Sequence, residues 1–364
     1  MQGVGRDVRQ LVNCSKHLVQ ILKFTSHLQE EFAGVESADL PSFSGESFLL
    51  SRPQIYAEPV APVSEKRRRP RIHRVAFWLA LATIVSTFWA GVGAWMPTTP
   101  LAMAFEQSSW MPVRQALLAN WSAGLQFSLG LMAILVAHEL GHYVMTIIYK
   151  VPSTPPLFIP FPLLSPIGTM GAVIMMQSGQ ADRKQIFDIG LAGPLAGLVV
   201  AVPILVVGVL FPHPIPYAPS DALVMGQPLL IQWLAAWLVP DRAAEFVHIA
   251  NNQVNPLLMA GWVGLLVTGL NMMPVGQLDG GHVTFGLVGR HSYWIAVAAM
   301  AGAVSYMLYS QVWIFLLMVV LVFVMGLRHP PSSNDDRELG WPRQVIGWGS
   351  LVLPILCIPA NPIF

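Results

Sequence analysis

Charged residues are scarce in this sequence. Lys, Arg, Asp and Glu together make up 11% of the 364 residues, whereas soluble globular proteins carry about 25%. Hydrophobic residues make up 54%, and they form runs long enough to cross a bilayer. This composition excludes a soluble enzyme, a disordered protein and a nucleic-acid binder. It predicts an all-α polytopic membrane protein.

Cysteine is almost absent as well. Cys14 and Cys357 lie at opposite ends of the chain, so no disulfide framework is expected. Neither lies near the histidines discussed below, and both are predicted to be structural.

Polar sequence is concentrated before residue 75. Residues 1–74 are predicted to form a cytoplasmic N-terminal extension, with a short amphipathic helix within 8–32 and a Ser-, Pro- and Glu-rich linker over 33–65. Six of the 20 basic residues of the chain lie in the last nine positions of this extension, residues 66–74. They are Lys66, Arg67, Arg68, Arg69, Arg71 and Arg74.

Apolar runs follow one another from residue 75 onward and predict about six to seven transmembrane helices. The run over 292–327 would measure about 54 Å as one helix, too long for a single crossing, so a split near Ser310 is expected. Residues 228–239 are too short to cross and are expected at the interface. The predicted spans are 75–95, 121–149, 189–211, 256–278, the two parts of 292–327, and a marginal span over 344–360.

The basic residues orient these spans. If the cluster at 66–74 is cytoplasmic, as the positive-inside rule requires, most other basic residues fall on the same side. Arg114 and Arg242 remain on the opposite side. The cytoplasmic set is Lys150, Arg183, Lys184, Arg290, Arg328 and Arg343.

The stretch 150–177 is rich in proline yet apolar. Proline stops helices, and non-helical backbone at membrane depth requires cover from protein or a water-filled cavity. The stretch therefore predicts a small membrane-associated β or re-entrant loop, with a strand over 169–177. An apolar loop on the membrane surface is the alternative.

One apolar span contains the sequence His138-Glu139-Leu140-Gly141-His142. In a helix the two histidines differ by about 40° around the axis and lie one turn apart, with the glutamate in the same sector. This spacing lets two imidazoles bind one Zn²⁺ while Glu139 acts on a water. A carboxylate at bilayer depth indicates function by default. The alternative is a structural role, in which a buried, hydrogen-bonded His–Glu pair holds helices together.

A catalytic zinc site needs a third protein ligand. Asp279 ends a later span, where Pro274 and several glycines are expected to turn the chain back at the depth of His142. His282 is a rival ligand, although a histidine at a helix end is more often solvated or capping. Asp188, close to Arg183, is better explained by a helix-start or interface role.

The two motifs together resemble the site-2 protease family of intramembrane zinc metalloproteases. The resemblance rests on His-Glu-Leu-Gly-His and on the later sequence from Asn271 through Asp279 to Gly280, and it covers roughly residues 121–290. It implies one Zn²⁺ per chain, bound by His138, His142 and Asp279. Glu139 would be the catalytic general base.

The resemblance also implies substrate-binding roles. Asn271 would position the substrate peptide or stabilise the oxyanion, and the stretch containing Gly168 and Gly171 is similar to the β-element that clamps an extended substrate. The glycine-rich run 190–197 is similar to the third core helix of the family, although small residues that permit close packing explain it equally well. No PDZ domain is expected in the 211–255 loop.

The expected function is hydrolysis of peptide bonds within or near transmembrane segments of membrane proteins, as in regulated intramembrane proteolysis. The expected partners are those substrates and the lipid bilayer, without nucleic acid, and the oligomeric state stays open. The expected location is the cytoplasmic (inner) membrane, with the active site toward the cytoplasm. Residues 75–327 would form the protease domain, and 328–364 a cytoplasmic loop and the marginal last span.

Three alternatives stay open from the residues alone. The polar groups could form the ion site of a membrane transporter, although the paired inverted repeats typical of such proteins are missing from the sequence. A catalytically inactive scaffold could keep zinc for structure. A different membrane zinc protease would use a glutamate as third ligand, and Glu245 and Glu338 lie in polar loops without a supporting motif.

Overall fold

The apolar runs fold into helices because lipid offers no hydrogen bonds to the backbone. The computed structural model describes residues 70–176, 178–211, 215–216, 224–250 and 253–361. The helix predicted within 8–32, the linker over 33–65 and Cys14 lie outside the described residues. In chain order, helices α1 to α11 span Pro70–Val92, Thr99–Glu106, Met111–Ile148, Arg183–Leu210, Leu229–Leu238, Pro256–Asn271, Asp279–Val288, Ser292–Ser310, Leu316–Met325, Trp341–Ser350 and Leu353–Cys357.

Two small antiparallel sheets complete the described part of the chain. The first pairs β1 with β2, and Leu157 lies opposite Val173. The second pairs β3 with β4, and Met225 lies opposite Ile249. The strands β1 to β4 span Leu157–Pro160, Thr169–Val173, Val224–Gly226 and His248–Ala250.

The chain is an integral membrane protein that is mostly helical. Among the described residues, four helical segments are long and apolar enough to cross a membrane. The segment Asp279–Ser310 joins α7 and α8 through a short 3-10 turn. The other three are Ile72–Val92, Met111–Ile148 and Arg183–Leu210.

Several predicted boundaries shift. Helix α3 begins at Met111 rather than at 121, since Arg114 is exposed and does not interrupt the helix. Helix α6 ends at Asn271, seven residues before the predicted end of the fourth span. The predicted break in 292–327 falls where α8 ends at Ser310, and Gln311 then adopts φ 58°.

Helices α4 and α6 begin with side-chain caps that satisfy free backbone N–H groups. Asp182 caps α4 in a capping box with Gln185, the arrangement in which each side chain accepts from the backbone N–H of the other residue. Asn255 caps α6 by accepting from the N–H groups of Leu257 and Leu258. The starts of α4 and α6 are therefore fixed by local sequence.

Helices α1, α3, α4 and α6 enclose the main core. Its buried side chains include Phe127 of α3, Leu205 of α4 and Val263 of α6. Gly91 and Gly124 allow α1 and α3 to approach closely, since a Cβ on Gly91 would lie 2.8 Å from the Cα of Gly124. Such contacts between small residues are the usual basis of helix association in membranes.

The proline-rich stretch forms the β1–β2 hairpin, which packs against α1. The Oγ of Ser86 donates to the carbonyl of Gly168 at 2.5 Å. A Cβ on Gly168, whose φ is +77°, would lie 2.5 Å from the carbonyl oxygen of Ser86. Past β2, Met176 forms an isolated bridge with Ser153. The predicted strand is present over 169–173, and Gln177 lies outside the described residues.

The C-terminal helices pack back onto the core. Gly347 of α10 lies against Phe187 of α4, and Cys357 of α11 lies against Gly269 of α6. Residues 354–361 line a cavity together with Gly226 and His248. Cys357 is fully buried and free, as its predicted structural role requires.

Candidate metal centre and active site

Helix α3 supplies three of the predicted site residues. His138, Glu139 and His142 are 2%, 5% and 8% exposed. The imidazoles of the two histidines lie one helical turn apart with ring centroids 5.0 Å apart. The i, i+4 spacing therefore places both rings on one buried face, as the helical geometry predicts.

The junction between α6 and α7 supplies Asp279. Helix α6 ends at Asn271, and residues 272–278 form the turn that leads into α7. Two glycines permit this turn, because a Cβ on Gly280 would lie 2.1 Å from the carbonyl oxygen of Met272, and one on Gly281 2.4 Å from that of Gly276. The first residue of α7, Asp279, is thereby directed at α3.

Donor atoms from α3 and α7 converge on one point. The Oδ2 of Asp279 lies 3.1 Å from the Nε2 of His138 and 3.3 Å from the Nε2 of His142. The two Nε2 atoms lie 3.2 Å apart. The Nδ2 of Asn271 lies 3.3 Å from the Nε2 of His138. Four residues separated by up to 141 positions therefore meet at one site.

The donor set fits a divalent metal. His138, His142 and Asp279 each offer one ligand atom, and these atoms lie within 4.8 Å of one another. Among the described residues they form the one group of three or more His, Cys, Asp or Glu side chains that could hold an ion. Two imidazoles and a carboxylate are typical of catalytic zinc, which keeps a further position open.

A backbone carbonyl orients His142. Its Nδ1 lies 2.7 Å from the carbonyl oxygen of Ile189. Because a carbonyl only accepts, Nδ1 carries the proton, and the lone pair of Nε2 faces the other donors. In the described part of the chain, the buried Nδ1 of His138 has no hydrogen-bond partner.

Glycines of α4 make room for the imidazoles. A Cβ on Gly193 would lie 2.0 Å from the Nε2 of His142, and a Cβ on Gly197 would lie 3.2 Å from the Nδ1 of His138. A Cβ on Gly190 would lie 2.7 Å from the Cβ of His282. The glycine-rich run 190–197 therefore permits close helix packing, and it does so directly against the site.

A cavity of about 470 Å³ opens onto these residues. Glu139 lines it together with the three donor side chains, Asn271 and the segment that continues β2. Water and an extended peptide segment therefore have space beside the carboxylate. The remaining lining residues are Thr146, Ala172, Val173, Ile174, Met175, Met176, Ile189, Gln277, Leu278, His282, Met325 and Pro330.

His282 lines the cavity but pairs with another histidine. Its Nδ1 lies 2.7 Å from the Nε2 of His329, and the ring of His329 stacks on Phe285 at 4.1 Å. Burial lowers the pKa of His329 below its usual value, which keeps that ring neutral near pH 7. His282 stands outside the group of three donors, and its predicted capping or solvated role gives way to this pair.

The remaining predicted residues lie away from the donors. Gly168 and Gly171 do not line the cavity, although Ala172, the next residue of β2, does. Asp188 pairs with Arg343 of α10 at 2.7 Å instead of with Arg183, which is an interface role. Glu245 pairs with Arg242 at 2.7 Å, and neither Glu245 nor Glu338 lines the cavity.

Sequence reasoning missed the groups that support the ligands. The carbonyl of Ile189 carries no side-chain signal, and Arg343 lies 155 residues from Asp188 in the chain. Pro330 and Met325 also line the cavity from a region without a motif. Asp188 is identifiable from the sequence as a carboxylate at the start of an apolar run, but its partner is not.

Fold and site together define a multi-pass membrane protein with a buried His-His-Asp centre suited to zinc. The model of peptidase family M50 matches residues 126–316, which is more than half of the chain. The chain belongs to peptidase family M50.

Several curated relatives carry the names of chloroplast proteases. The chain is 30% identical to the probable zinc metalloprotease EGY1, chloroplastic, of Arabidopsis thaliana over 65% of this chain and 43% of that protein. It is 36% identical to the protein of the same name from Oryza sativa subsp. japonica over 49% of this chain and 31% of that protein. It is 28% identical to the probable zinc metalloprotease EGY2, chloroplastic, of Arabidopsis thaliana over 86% of this chain and 54% of that protein.

The chain thus spans about half or less of the length of these relatives. No solved structure matches it.

Proposed function

We propose that this protein is an intramembrane zinc metalloprotease that hydrolyses peptide bonds within or near transmembrane segments of other membrane proteins. The observation that carries the proposal is the convergence of His138, His142 and Asp279 beside Glu139 in one buried cavity. Membership of family M50 supports it. The names of the curated relatives, zinc metalloproteases, support it as well.

His138, His142 and Asp279 would hold one zinc ion per chain. When bound, zinc lowers the pKa of a water and polarises the scissile carbonyl. Three protein ligands leave a position for water or substrate, whereas structural zinc sites are closed by four. The pairing of His282 with His329 supports an open, catalytic centre over an inactive scaffold.

Glu139 would act as general base. Its carboxylate takes a proton from the attacking water and delivers it to the nitrogen of the leaving amine. Burial at 5% exposure shields this carboxylate from bulk solvent. The side-chain amide of Asn271, which lines the same cavity, would donate a hydrogen bond to the carbonyl oxygen as negative charge develops on it.

The substrate would bind as an extended strand beside β2. The end of β2 and the three residues after it, together residues 172–176, line the cavity. An exposed strand can pair with an added peptide. A helical peptide bond must unwind before water reaches it, so strand pairing would hold the unwound segment. Gly168 and Gly171 would contribute by shaping the hairpin.

We further propose six to seven crossings. Helices α1, α3, α4, α6 and α8 and the segment 311–327, which contains α9, would supply six, with the hairpin as the membrane-associated β-element. The segment of α10 and α11 would be the seventh. Two contacts support this seventh crossing. Arg343 pairs with Asp188 near the start of α4. Residues 354–361 lie beside the β3–β4 sheet, which follows the far end of α4.

The site would open toward the side that carries most basic residues. Arg290 pairs with Asp335 at 3.5 Å, and Arg183 donates to the Asp335 carbonyl at 3.4 Å, which supports placing these residues at one end of the bundle. This side is the cytoplasm if the membrane is a bacterial inner membrane. The relatives' names place those proteins in chloroplasts. We therefore propose on which side of its membrane the site opens, and not which membrane contains the protein.

The proposed domain plan keeps three parts. Residues 1–74 form an N-terminal extension, 75–327 the protease domain with its core over 121–290, and 328–364 a loop and the last span. The region matched by the family model, 126–316, supports the placing of the core.

The test measures zinc stoichiometry and substrate cleavage on the same preparations. Wild type, Glu139→Gln and Asp279→Ala are purified in detergent and supplied with a model transmembrane substrate. We expect one zinc in wild type and in Glu139→Gln, weakened zinc in Asp279→Ala, and a rate loss of about 10²–10⁴ in Glu139→Gln. Absence of zinc from wild type, or full cleavage by Glu139→Gln, would favour the ion-site alternative.

A further inference from the structure

We propose that Arg343, acting through Asp188, is a positioning residue for the zinc ligand His142. The inference rests on the proposed zinc site and extends it to a residue beyond the region 126–316 that the family model matches. Three contacts carry it: one joins α10 to α4, and two join α4 to α3.

The first contact joins α10 to α4. The Nε of Arg343 donates to the Oδ1 of Asp188 at 2.7 Å, and its Nη2 donates to Oδ2 at 2.9 Å. The Asp188 side chain is 12% exposed and that of Arg343 33%. A two-bond guanidinium–carboxylate pair fixes orientation as well as distance, so it sets the rotation of this turn of α4.

The second contact passes that orientation to the site. Ile189 follows Asp188 directly, and its carbonyl oxygen accepts from the Nδ1 of His142 at 2.7 Å. Acceptors of this kind fix the tautomer and the ring plane of a metal-binding histidine. The carbonyl that orients His142 therefore belongs to the residue next to the one that Arg343 holds.

The third contact closes the arrangement. The hydroxyl of Tyr149, two turns beyond His142 and just after the end of α3, donates to the Oδ2 of Asp188. A phenol is protonated near pH 7, so this hydroxyl is available as a donor. α3 is thus joined to the Asp188–Ile189 unit at two points, once through the ligand itself.

A purely anchoring role for the ion pair predicts a different outcome from a positioning role. If the pair only holds α10 in place, any variant that loosens α10 would have the same effect on the site. Leu351 provides that comparison, because it directly follows α10, packs against the buried cluster that contains Phe187 and Met272, and forms no part of the ion pair.

The experiment measures metal affinity in the Glu139→Gln background, so that it does not depend on cleavage. Zinc affinity is determined by competition with a chelator in detergent, and the visible spectrum of the cobalt-substituted protein reports ligand geometry. The variants are Asp188→Asn, Arg343→Gln, Arg343→Lys and the double variant Asp188→Asn with Arg343→Gln. Leu351→Ala and Arg242→Gln are the matched controls.

We expect Asp188→Asn and Arg343→Gln each to weaken zinc binding about tenfold and to shift the cobalt spectrum. The double variant should be no weaker than either single variant, since both remove one interaction. Arg343→Lys should recover only part of the zinc affinity, because lysine keeps the positive charge but lacks the two-bond fork of arginine. Leu351→Ala should lower thermal stability and leave both metal readouts unchanged.

Unchanged affinity in Asp188→Asn, with zinc bound normally by the parent, would overturn the positioning role and leave the proposed function intact. Equal weakening in Leu351→Ala would reduce the ion pair to an anchor. A parent protein that binds no zinc would instead overturn the proposed function itself.

Discussion

Two histidines of the site depend on residues that have no side chain. Gly193 faces the Nε2 of His142, and a Cβ added to Gly193 would lie 2.0 Å from that atom. Gly197 faces the Nδ1 of His138, and a Cβ added to Gly197 would lie 3.2 Å from it. The imidazoles can therefore occupy space that in an ordinary helix pair belongs to Cβ atoms. This makes the α4 glycines part of the site's geometry, although they offer no ligand atom.

Gly193→Ala should displace His142 and weaken zinc binding about ten- to hundredfold, since overpacking costs about 1–3 kcal/mol. Gly197→Ala should have a smaller effect, because its neighbour need move only a few tenths of an ångström. Gly302→Ala on α8, where a Cβ meets nothing within 4 Å, is the control. Chelator competition measures all three, and an equal effect at 193 and 302 would contradict the packing argument.

Asn271 should affect turnover rather than metal binding. It lies 3.3 Å from the Nε2 of His138 without belonging to the three-donor group, so Asn271→Ala should keep zinc and lose about 10²–10³ in kcat. Gln277→Ala is a suitable comparison, because Gln277 lines the same cavity but bonds to the carbonyl of Met325. Loss of zinc from Asn271→Ala would assign Asn271 to metal binding instead.

At the scale of elements, one arginine holds α7 in position. The Nε of Arg183 donates to the carbonyl of Gly286 at 2.9 Å, and its Nη2 to that of Leu287 at 3.1 Å. A cation at a helix C-terminus also interacts favourably with the helix dipole. The far end of the helix that begins with Asp279 is therefore tied to the start of α4.

Arg183→Gln should lower the free energy of unfolding by about 1.5–3 kcal/mol, the range for hydrogen bonds to a charged group. Thermal unfolding in detergent measures it. Arg242→Gln, which removes an exposed pair with Glu245, should leave thermal unfolding nearly unchanged, because exposed ion pairs contribute little to stability. Equal destabilisation by both variants would show that Arg183 acts as a general surface charge.

Several elements could be predicted from the sequence because their signals are local. The spacing of His138 and His142 places them on one helix face, and Pro274 with the following glycines predicts the turn that presents Asp279. The start of α3 and the end of α6 were less predictable. Hydropathy continues past Asn271 through residues 272–278, although the backbone leaves the helix there.

The supporting contacts could not be predicted, for a different reason. Arg343 and Asp188 lie 155 residues apart, and nothing in the local pattern of either residue specifies the other. The acceptor for His142 is a backbone carbonyl, which every residue possesses. Such contacts become visible only when the packing of α3, α4 and α10 is known.

At the scale of the whole molecule, the proposed orientation can be tested by labelling. Single cysteines at Lys184, Arg290 and Arg242 are introduced in a Cys14→Ser, Cys357→Ser background and treated with a membrane-impermeant thiol reagent in sealed vesicles. Lys184→Cys and Arg290→Cys should be labelled from one side and Arg242→Cys from the other. Labelling of all three from the same side would contradict the proposed orientation.

The close contact of α3 with α4 has a consequence for how a substrate arrives. Where Gly141 meets α4, an added Cβ would lie only 2.5 Å from the carbonyl oxygen of Ala192, so no peptide can pass between these two helices. Other parts of the cavity lining come from residues 172–176, and from Met325 and Pro330. A substrate of the proposed protease would therefore enter from the side of these residues, and mutations there should alter which proteins are cut while the metal centre stays intact.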